Sequence, residues 1–282
     1  MSKVLSCFKY RTPTVALRCL AEGSLYFAKP SQLNDAFEAK YIHATQEEFV
    51  RVITKTVTEI NQQRRGQPLA FSQQSMAKMA ESYARECQHL KEFTDNIGIF
   101  STAKRPDHQA MWAYYADNSS GVCFELEWSH TVAEEYQLWA TDVEYHDKPR
   151  IHNRAEDWRE IFLKLAESHP FYNLEQLYHL SLEEEARRKW GILTASRAVS
   201  VKHTDWMHEQ EIRILAPKSG AQHLLHDVLK CVHFVGTSGE HWAAIMQLLY
   251  ANYPKVEMLY WESSHGVMSK TPTPMEFRLV KI

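Results

Sequence analysis

The stretch Glu209-Gln210-Glu211-Ile212-Arg213-Ile214 alternates charged and aliphatic side chains, which is typical of a half-buried β-strand. A strand has a side-chain period of two, so Glu209, Glu211 and Arg213 share one face and the isoleucines share the other. If the charged face lines a pocket, its carboxylates can bind sugar hydroxyls and stabilise a developing positive charge. If it faces water, it is an ordinary surface strand, and the hexapeptide alone leaves both interpretations open.

Around this strand, short apolar runs and helical patterns follow one another along the chain. Residues 4–10 and Leu25–Phe27 predict two strands, separated by a helix that begins at Pro13 and ends at Gly23. The remaining predicted strands cover residues 97–101, 121–126, 206–215, 231–236, 256–261 and 277–282. The remaining predicted helices cover residues 46–65, 72–90, 109–115 and 242–250, and two more lie within 157–190, with a break at Pro170.

The order of these elements predicts an α+β fold with a mixed, mostly antiparallel central sheet, because strands and helices do not alternate regularly. A length of 282 residues lies at the upper edge of what one domain holds. We therefore predict a single domain over residues 1–282, with helical insertions at about 46–93 and 155–190. The charge run Glu183-Glu184-Glu185 with Arg187-Arg188 is interpreted as a solvated helix face.

Composition excludes several classes of protein. The net charge of -3 argues against strong, sequence-independent electrostatic binding to nucleic acid. No run of about 18 apolar residues is present, so no membrane partner is expected. The five cysteines are scattered without a CxxC pair, which predicts free thiols and a cytoplasmic location.

Signature motifs of common enzyme classes are also missing. The sequence has no GxGxxG, no GxxxxGK[ST] and no GxSxG, which removes the doubly wound dinucleotide-binding, P-loop and serine-hydrolase classes. Glu209 follows His208, but no second histidine completes the HExxH pattern of a metalloprotease.

Two further segments carry candidate binding residues. Met111–Gly121 holds Trp112, Tyr114 and Tyr115, an aromatic group that fits either a packed core or a stacking surface. In the segment Leu25–Glu38, Asn34 and Asp35 either bond to local backbone amides or contact a ligand.

These segments, in this order, resemble the bacterial family known as domain of unknown function 2971. Its members carry a KYR-type first strand, a G-x-L-Y-F…P…L-N-D-P-F-E segment, an S…M-W-x-x-Y-A…G segment and a late W-x-x-E-x-E-x-R strand. The matching segments here are Lys9–Arg11, Gly23–Glu38, Ser101–Gly121 and Trp206–Arg213. The chain departs from the pattern at Ala36, where proline is usual, and at Ser119, where histidine is common.

The same order of elements is similar to ADP-ribosyltransferases, including DNA-modifying toxins. That resemblance implies a split-sheet fold, NAD as the substrate, no metal, and an acceptor that is a protein or a nucleic acid. It implies that Glu211 is the catalytic carboxylate, that Glu209 supports it on the acceptor side, and that Arg213 and Ser101 orient them. The residues implied to contact NAD are Lys9, Tyr10, Tyr26, Asn34, Asp35, Trp112 and Tyr115.

Three functions follow as expectations. The leading one is an NAD-consuming transferase or glycohydrolase that acts as a toxin, effector or phage-defence component. The second is a nuclease-type toxin that holds a divalent ion with Glu209, Glu211, Asp35 and Glu38. The third is a sensor or adaptor that binds a small ligand without turnover.

Overall fold

A computed structural model describes residues 4–35, 38–64, 68–70, 72–148, 152–235, 241–264 and 267–271. The strands are β1 (Leu5–Arg11), β2 (Leu25–Phe27), β3 (Tyr41–Ile42), β4 (Gly98–Ala103), β5 (Val122–Trp128), β6 (Trp139–Asp142), β7 (Glu144–His146), β8 (His152–Asn153), β9 (Val201–His203), β10 (Glu211–Ala216), β11 (Gly220–Gln222), β12 (Leu229–Val235), β13 (Glu257–Ser264) and β14 (Val267–Thr271). The helices are α1 (Pro13–Glu22), α2 (Gln46–Gln63), α3 (Gln73–Asn96), α4 (Gln109–Tyr115), α5 (His130–Glu135), α6 (Arg154–Ser168), α7 (Leu174–Ser181), α8 (Glu184–Ala198), α9 (Leu225–Val228) and α10 (Trp242–Asn252).

The described residues form two compact units. The sheet unit comprises the described parts of residues 1–28, 98–143 and 204–282. The helical unit comprises those of residues 29–97 and 144–203. Both predicted insertions, 46–93 and 155–190, lie in the helical unit, and the single domain over 1–282 stays a prediction.

The sheet unit is built on eight strands in the order β14-β13-β12-β5-β1-β4-β10-β6. The β12–β13 pair is parallel and the other neighbouring pairs are antiparallel. The predicted α+β class with a mixed, mostly antiparallel sheet is therefore confirmed. A separate two-stranded sheet joins β2 to β11.

The main core of this unit lies on one face of the sheet. Helices α1 and α10 supply Ala16, Leu20, Ile245 and Leu249 to this face, where they pack against sheet residues such as Phe124. Helix α1 ends as predicted at Gly23, whose left-handed backbone (φ 63°) lets its N–H bond to a carbonyl of the last turn. Burial of apolar side chains on this face is the main stabilising contribution to the unit.

The opposite face of the sheet is covered by α4. Met111 and Trp112 of this helix pack against Tyr10, Ala103 and Cys123 of the sheet. The chain then turns back into β5 at Gly121, where a Cβ atom would lie 2.1 Å from the Arg11 carbonyl oxygen. Only glycine fits there, so Gly121 has a packing role.

The helical unit has its own core, made by α2, α3, α6, α7 and α8. Phe49 of α2 stacks on Tyr83 of α3 with ring centroids 3.7 Å apart, and Trp158 and Trp190 extend this aromatic group. Helix α2 begins with a capping box between Thr45 and Glu48. Short pairs β3–β8 and β7–β9 complete the unit.

Several sequence-based boundaries differ from the structure. Residues 157–190 were expected to form two helices, but three helices, α6, α7 and α8, cover this part of the chain. The second break falls at Leu182 and Glu183, where the sequence has neither glycine nor proline to signal it. Glu183, Glu184 and Glu185 are exposed as expected. The predicted strand over 277–282 lies outside the described residues.

Within the described residues, no helix is long and apolar enough to cross a bilayer.

We expect Gly121→Ala to lower the free energy of unfolding by about 1–3 kcal/mol, because the added methyl group collides with the Arg11 carbonyl. Urea unfolding followed by circular dichroism would measure this. The control is Ala113→Ser, which adds one atom at an exposed position of α4 and should change stability by less than about 0.5 kcal/mol. Equal stability of Gly121→Ala and wild type would contradict the packing role.

Candidate functional site

The predicted charged face of residues 209–214 is buried. Glu211 and Arg213 share a face of β10, and the Arg213 Nη2 donates to the Glu211 Oε2 at 2.7 Å. Their side chains are 7% and 1% exposed, so the interpretation as a water-facing strand is wrong. Ile212 and Ile214 join the main core on the other face, as the alternation predicts. The guanidinium compensates the carboxylate charge in a place that water scarcely reaches.

Glu209 reaches the same region by a different route from the one predicted. Residues Thr204–Glu209 form a 3₁₀ turn, so the expected strand over 206–215 is wrong in its first half. Gln210 has a left-handed backbone (φ 45°), which breaks the alternation before β10 begins. Glu209 is nevertheless buried, and it accepts a hydrogen bond from the Tyr115 hydroxyl of α4.

The sheet opens on the other side of β4 from the Glu211–Arg213 pair, between β1 and β4. These neighbours share a single residue pair, Phe8↔Ala103, whereas β1 and β5 pair along seven residues. On the edge of β4 that faces β1, Ile99 exchanges two backbone hydrogen bonds with Ala28. The strand bonds that β1 would otherwise make to β4 are missing there, which leaves a gap in the sheet.

Two cations of β1 lie at this gap. The Lys9 Nζ donates to the Ser101 carbonyl oxygen. The Lys9 ammonium lies 5.1 Å and the Arg11 guanidinium 5.5 Å from the centre of the Phe100 ring. A cation over an aromatic face is attracted by the ring. Phe100 of β4 therefore holds both cations, and Arg11 also forms a hydrogen bond with the Cys19 side chain of α1.

The environment lowers the pKa of Lys9 to about 7. Burial is the largest cause, and the nearby charge of Arg11 adds to it. The carboxylates Glu211 and Glu209 act in the opposite direction and limit the shift. A lysine with this pKa changes its charge near neutral pH, and its ammonium links the β1 gap electrostatically to both candidate carboxylates.

Tyr10, a predicted NAD contact of the first strand, and Trp112, a predicted NAD contact of α4, pack against each other between the sheet and this helix. Tyr10 is buried, packs edge-on against Trp112 with centroids 5.2 Å apart, and donates to the Arg105 carbonyl at 2.8 Å. Burial also raises the pKa of Tyr10. Trp112 is 1% exposed and donates to the Pro106 carbonyl. Both rings hold α4 on the sheet, and Tyr115 is the aromatic residue of this helix that bonds to a candidate carboxylate.

The other predicted residues are distributed differently. Ser101 lies opposite Arg213 in the β4–β10 register, and its backbone carbonyl, rather than its hydroxyl, binds Lys9. Tyr26 lies on β2, paired with Ala221, and is 46% exposed. Asn34 and Asp35 belong to the helical unit, and the Asp35 carbonyl accepts from the Glu38 N–H. A role for these residues in binding stays a prediction.

Sequence reasoning did not assign a role to Arg11 or Phe100. Arg11 is the third residue of the KYR segment and has the same strand phase as Lys9, so its position was open to prediction. Phe100 reads as an ordinary core residue. Its role as the ring under both cations depends on the gap, which arises from pairing between segments about 90 residues apart in the chain.

One family model, described as "Protein of unknown function (DUF2971)", matches residues 111–214. The matched segment runs from α4 to β10 and includes Tyr115, Glu209, Glu211 and Arg213. It leaves out β1, so Lys9 and Arg11 lie outside it. No curated protein and no solved structure matches the chain. The likeness to DUF2971 is thus established over the segment that carries the candidate carboxylates.

We expect Glu211→Gln to lower the free energy of unfolding by about 3–5 kcal/mol, because it removes the negative charge that binds the buried Arg213 guanidinium. Arg213→Met should be destabilising for the corresponding reason. The double variant Glu211→Gln/Arg213→Met removes both charges, so its loss should be smaller than the two single losses added together. A double-mutant cycle by urea unfolding measures this, and strict additivity would show that the pair is not coupled.

We also expect a pH dependence that belongs to Lys9. Its folded pKa of about 7 lies below the ordinary value of 10.5, so the unfolded chain binds the proton more tightly between these two values. Raising the pH through this window should therefore stabilise wild type relative to Lys9→Met. Unfolding free energies of both proteins at pH 7 and pH 10 test this, with the exposed substitution Lys189→Met as the control. A pH-independent difference between wild type and Lys9→Met would contradict the assigned pKa.

Proposed function

We propose that this protein is an NAD-consuming enzyme, an ADP-ribosyltransferase or an NAD glycohydrolase. The observation that carries the proposal is the buried Glu211 carboxylate, which Arg213 binds at 2.7 Å on β10, the strand on the other side of β4 from the gap. An enzyme that cleaves a glycosidic bond needs a fixed carboxylate of this kind to stabilise the positive charge that develops on the sugar. By resemblance to ADP-ribosyltransferase toxins, we propose a biological role as a toxin, effector or phage-defence component.

The residue types fit the chemistry of nicotinamide release. When the bond between nicotinamide and ribose breaks, its electron pair goes to the nicotinamide nitrogen, and positive charge develops on the ribose carbon. Glu211 is the group proposed to stabilise that charge or to bind the adjacent ribose hydroxyl. Glu209 is proposed to receive the proton of the acceptor, which is water in a glycohydrolase and a macromolecule in a transferase.

The cations at the gap fit the charge of the same substrate. NAD carries a diphosphate, and Arg11 lies close enough to Lys9 to lower the pKa of the Lys9 ammonium. Guanidinium and ammonium groups are the usual protein partners of phosphate oxygens. Glu211 shares a sheet face with Ala103 and Phe8, whereas Lys9 and Arg11 leave β1 on the other face, so the proposal has the diphosphate reach these cations through the gap.

A metal-dependent nuclease is less well supported by these contacts. Glu211 is bound to Arg213, and Glu209 accepts from Tyr115, so a divalent ion would compete with both. In the helical unit, Glu38 is bound to Lys202 at 3.0 Å. Direct ligation of a divalent ion would require these carboxylates to give up their present partners, whereas electrostatic stabilisation of a charge on the ribose leaves those bonds in place.

The decisive experiment is release of nicotinamide from NAD by the purified full-length protein, with and without cell lysate as a source of acceptor. We expect release by wild type and a loss of at least about a hundredfold in Glu211→Gln, because that variant lacks the charge that stabilises the transition state. The matched control is Glu135→Gln, which changes an exposed carboxylate of α5 and should leave the rate unchanged.

Stability must be separated from chemistry in this test, since Glu211 is also part of a buried ion pair. Each variant is assayed at a temperature at which its circular dichroism matches that of wild type. NAD binding is measured by calorimetry alongside, and binding that survives in Glu211→Gln would place the loss in the chemical step. Absence of release by folded wild type under both conditions, or full activity of Glu211→Gln, would reject the proposal.

A further inference from the structure

Three side chains on neighbouring strands β5 and β12 form a second cluster in the sheet unit. Cys231 and His233 are two residues apart on β12, so they project from the same face. Glu125 of β5 lies directly opposite Cys231 in the strand register. As a result, the Cys231 sulfur, a ring nitrogen of His233 and a carboxylate oxygen of Glu125 all lie within 4.8 Å of one another.

We propose that Glu125, Cys231 and His233 bind a divalent transition-metal ion of the zinc class. Thiolate, imidazole and carboxylate are the three ligand types that Zn²⁺ takes in proteins, and three protein ligands leave a fourth position for water or another molecule. Cys231 and His233 are 1% and 2% exposed. The Glu125 side chain is 23% exposed, so the carboxylate is the ligand nearest to solvent. This inference is independent of the proposed function.

The present contacts of His233 specify what metal binding must change. One ring nitrogen, Nε2, lies 3.0 Å from the Glu125 carboxylate, and the other, Nδ1, accepts from the Trp261 indole N–H at 2.8 Å. A neutral His233 therefore carries its proton on Nε2. To bind an ion through Nε2, the ring must move that proton to Nδ1, where it would face the indole N–H.

Metal binding is consequently in competition with Trp261. The ion replaces the Nε2 proton as the partner of Glu125, and the hydrogen bond from the Trp261 indole to Nδ1 breaks. The Cys231 thiol also gives up its proton, because the thiolate is the form that binds the ion. One proton leaves the protein for each ion bound. Removing the indole N–H should tighten metal binding, which is the opposite of what loss of an ordinary supporting hydrogen bond does.

The test uses the full-length protein after treatment with a chelator. Cobalt(II) is titrated in, because a thiolate bound to cobalt gives a charge-transfer absorption band in the near ultraviolet, and Zn²⁺ is then added to displace it. We expect the band in wild type and its loss in Cys231→Ser. The control is Cys87→Ser, which removes another buried cysteine, in the helical unit, and should keep the band.

Two more variants make the assignment specific. Glu125→Gln should weaken cobalt binding by about tenfold or more, and Trp261→Phe should strengthen it. Circular dichroism checks that every variant is folded. A band that persists in folded Cys231→Ser, or its absence from folded wild type, would overturn the proposal. Weaker binding by Trp261→Phe would overturn the proposed proton shift on His233.

Discussion

The ion pair between Glu211 and Arg213 is the interaction on which the candidate site depends. It lies on a strand whose six residues are all buried, and two charges in such a place are tolerated only when each compensates the other. The pair is therefore costly to disturb. It also fixes a carboxylate in an environment of low dielectric constant. Because little water screens the carboxylate there, its charge acts strongly on any charge that develops nearby.

The gap between β1 and β4 gives that carboxylate its surroundings. A fully paired sheet would have filled this space with backbone hydrogen bonds. The single pair Phe8↔Ala103 instead leaves room for Lys9 and Arg11 to lie over Phe100. Lys9 then lies between opposing influences, since burial and Arg11 favour its neutral form while Glu211 and Glu209 favour the charged form. A group balanced in this way is sensitive to a change in its surroundings, such as an arriving anion.

Local patterns gave good estimates of the elements that surround the site. The strand β2 and the helix α4 have the predicted bounds, and α1 ends at the glycine expected to close it. These elements have strong local signals: an apolar run before proline, a dense aromatic group and a left-handed glycine. The pattern at residues 206–215 was misleading, because one left-handed residue, Gln210, separates a 3₁₀ turn from the strand. An alternating sequence carries no mark of such a break.

The sequence by itself determined the α+β class and the placing of Glu211 and Arg213 on one strand face. The first follows from the order of strands and helices along the chain, and the second from the side-chain period of two in a strand. Tertiary structure decided that this face is buried, that Tyr115 reaches Glu209, and that Lys9 lies at a gap where the charges of both carboxylates act on it. It also brought Glu125 to Cys231 and His233 across two strands. Each of these depends on strand order and register between segments far apart in the chain, and side-chain periodicity contains no information about which strand becomes the neighbour of which.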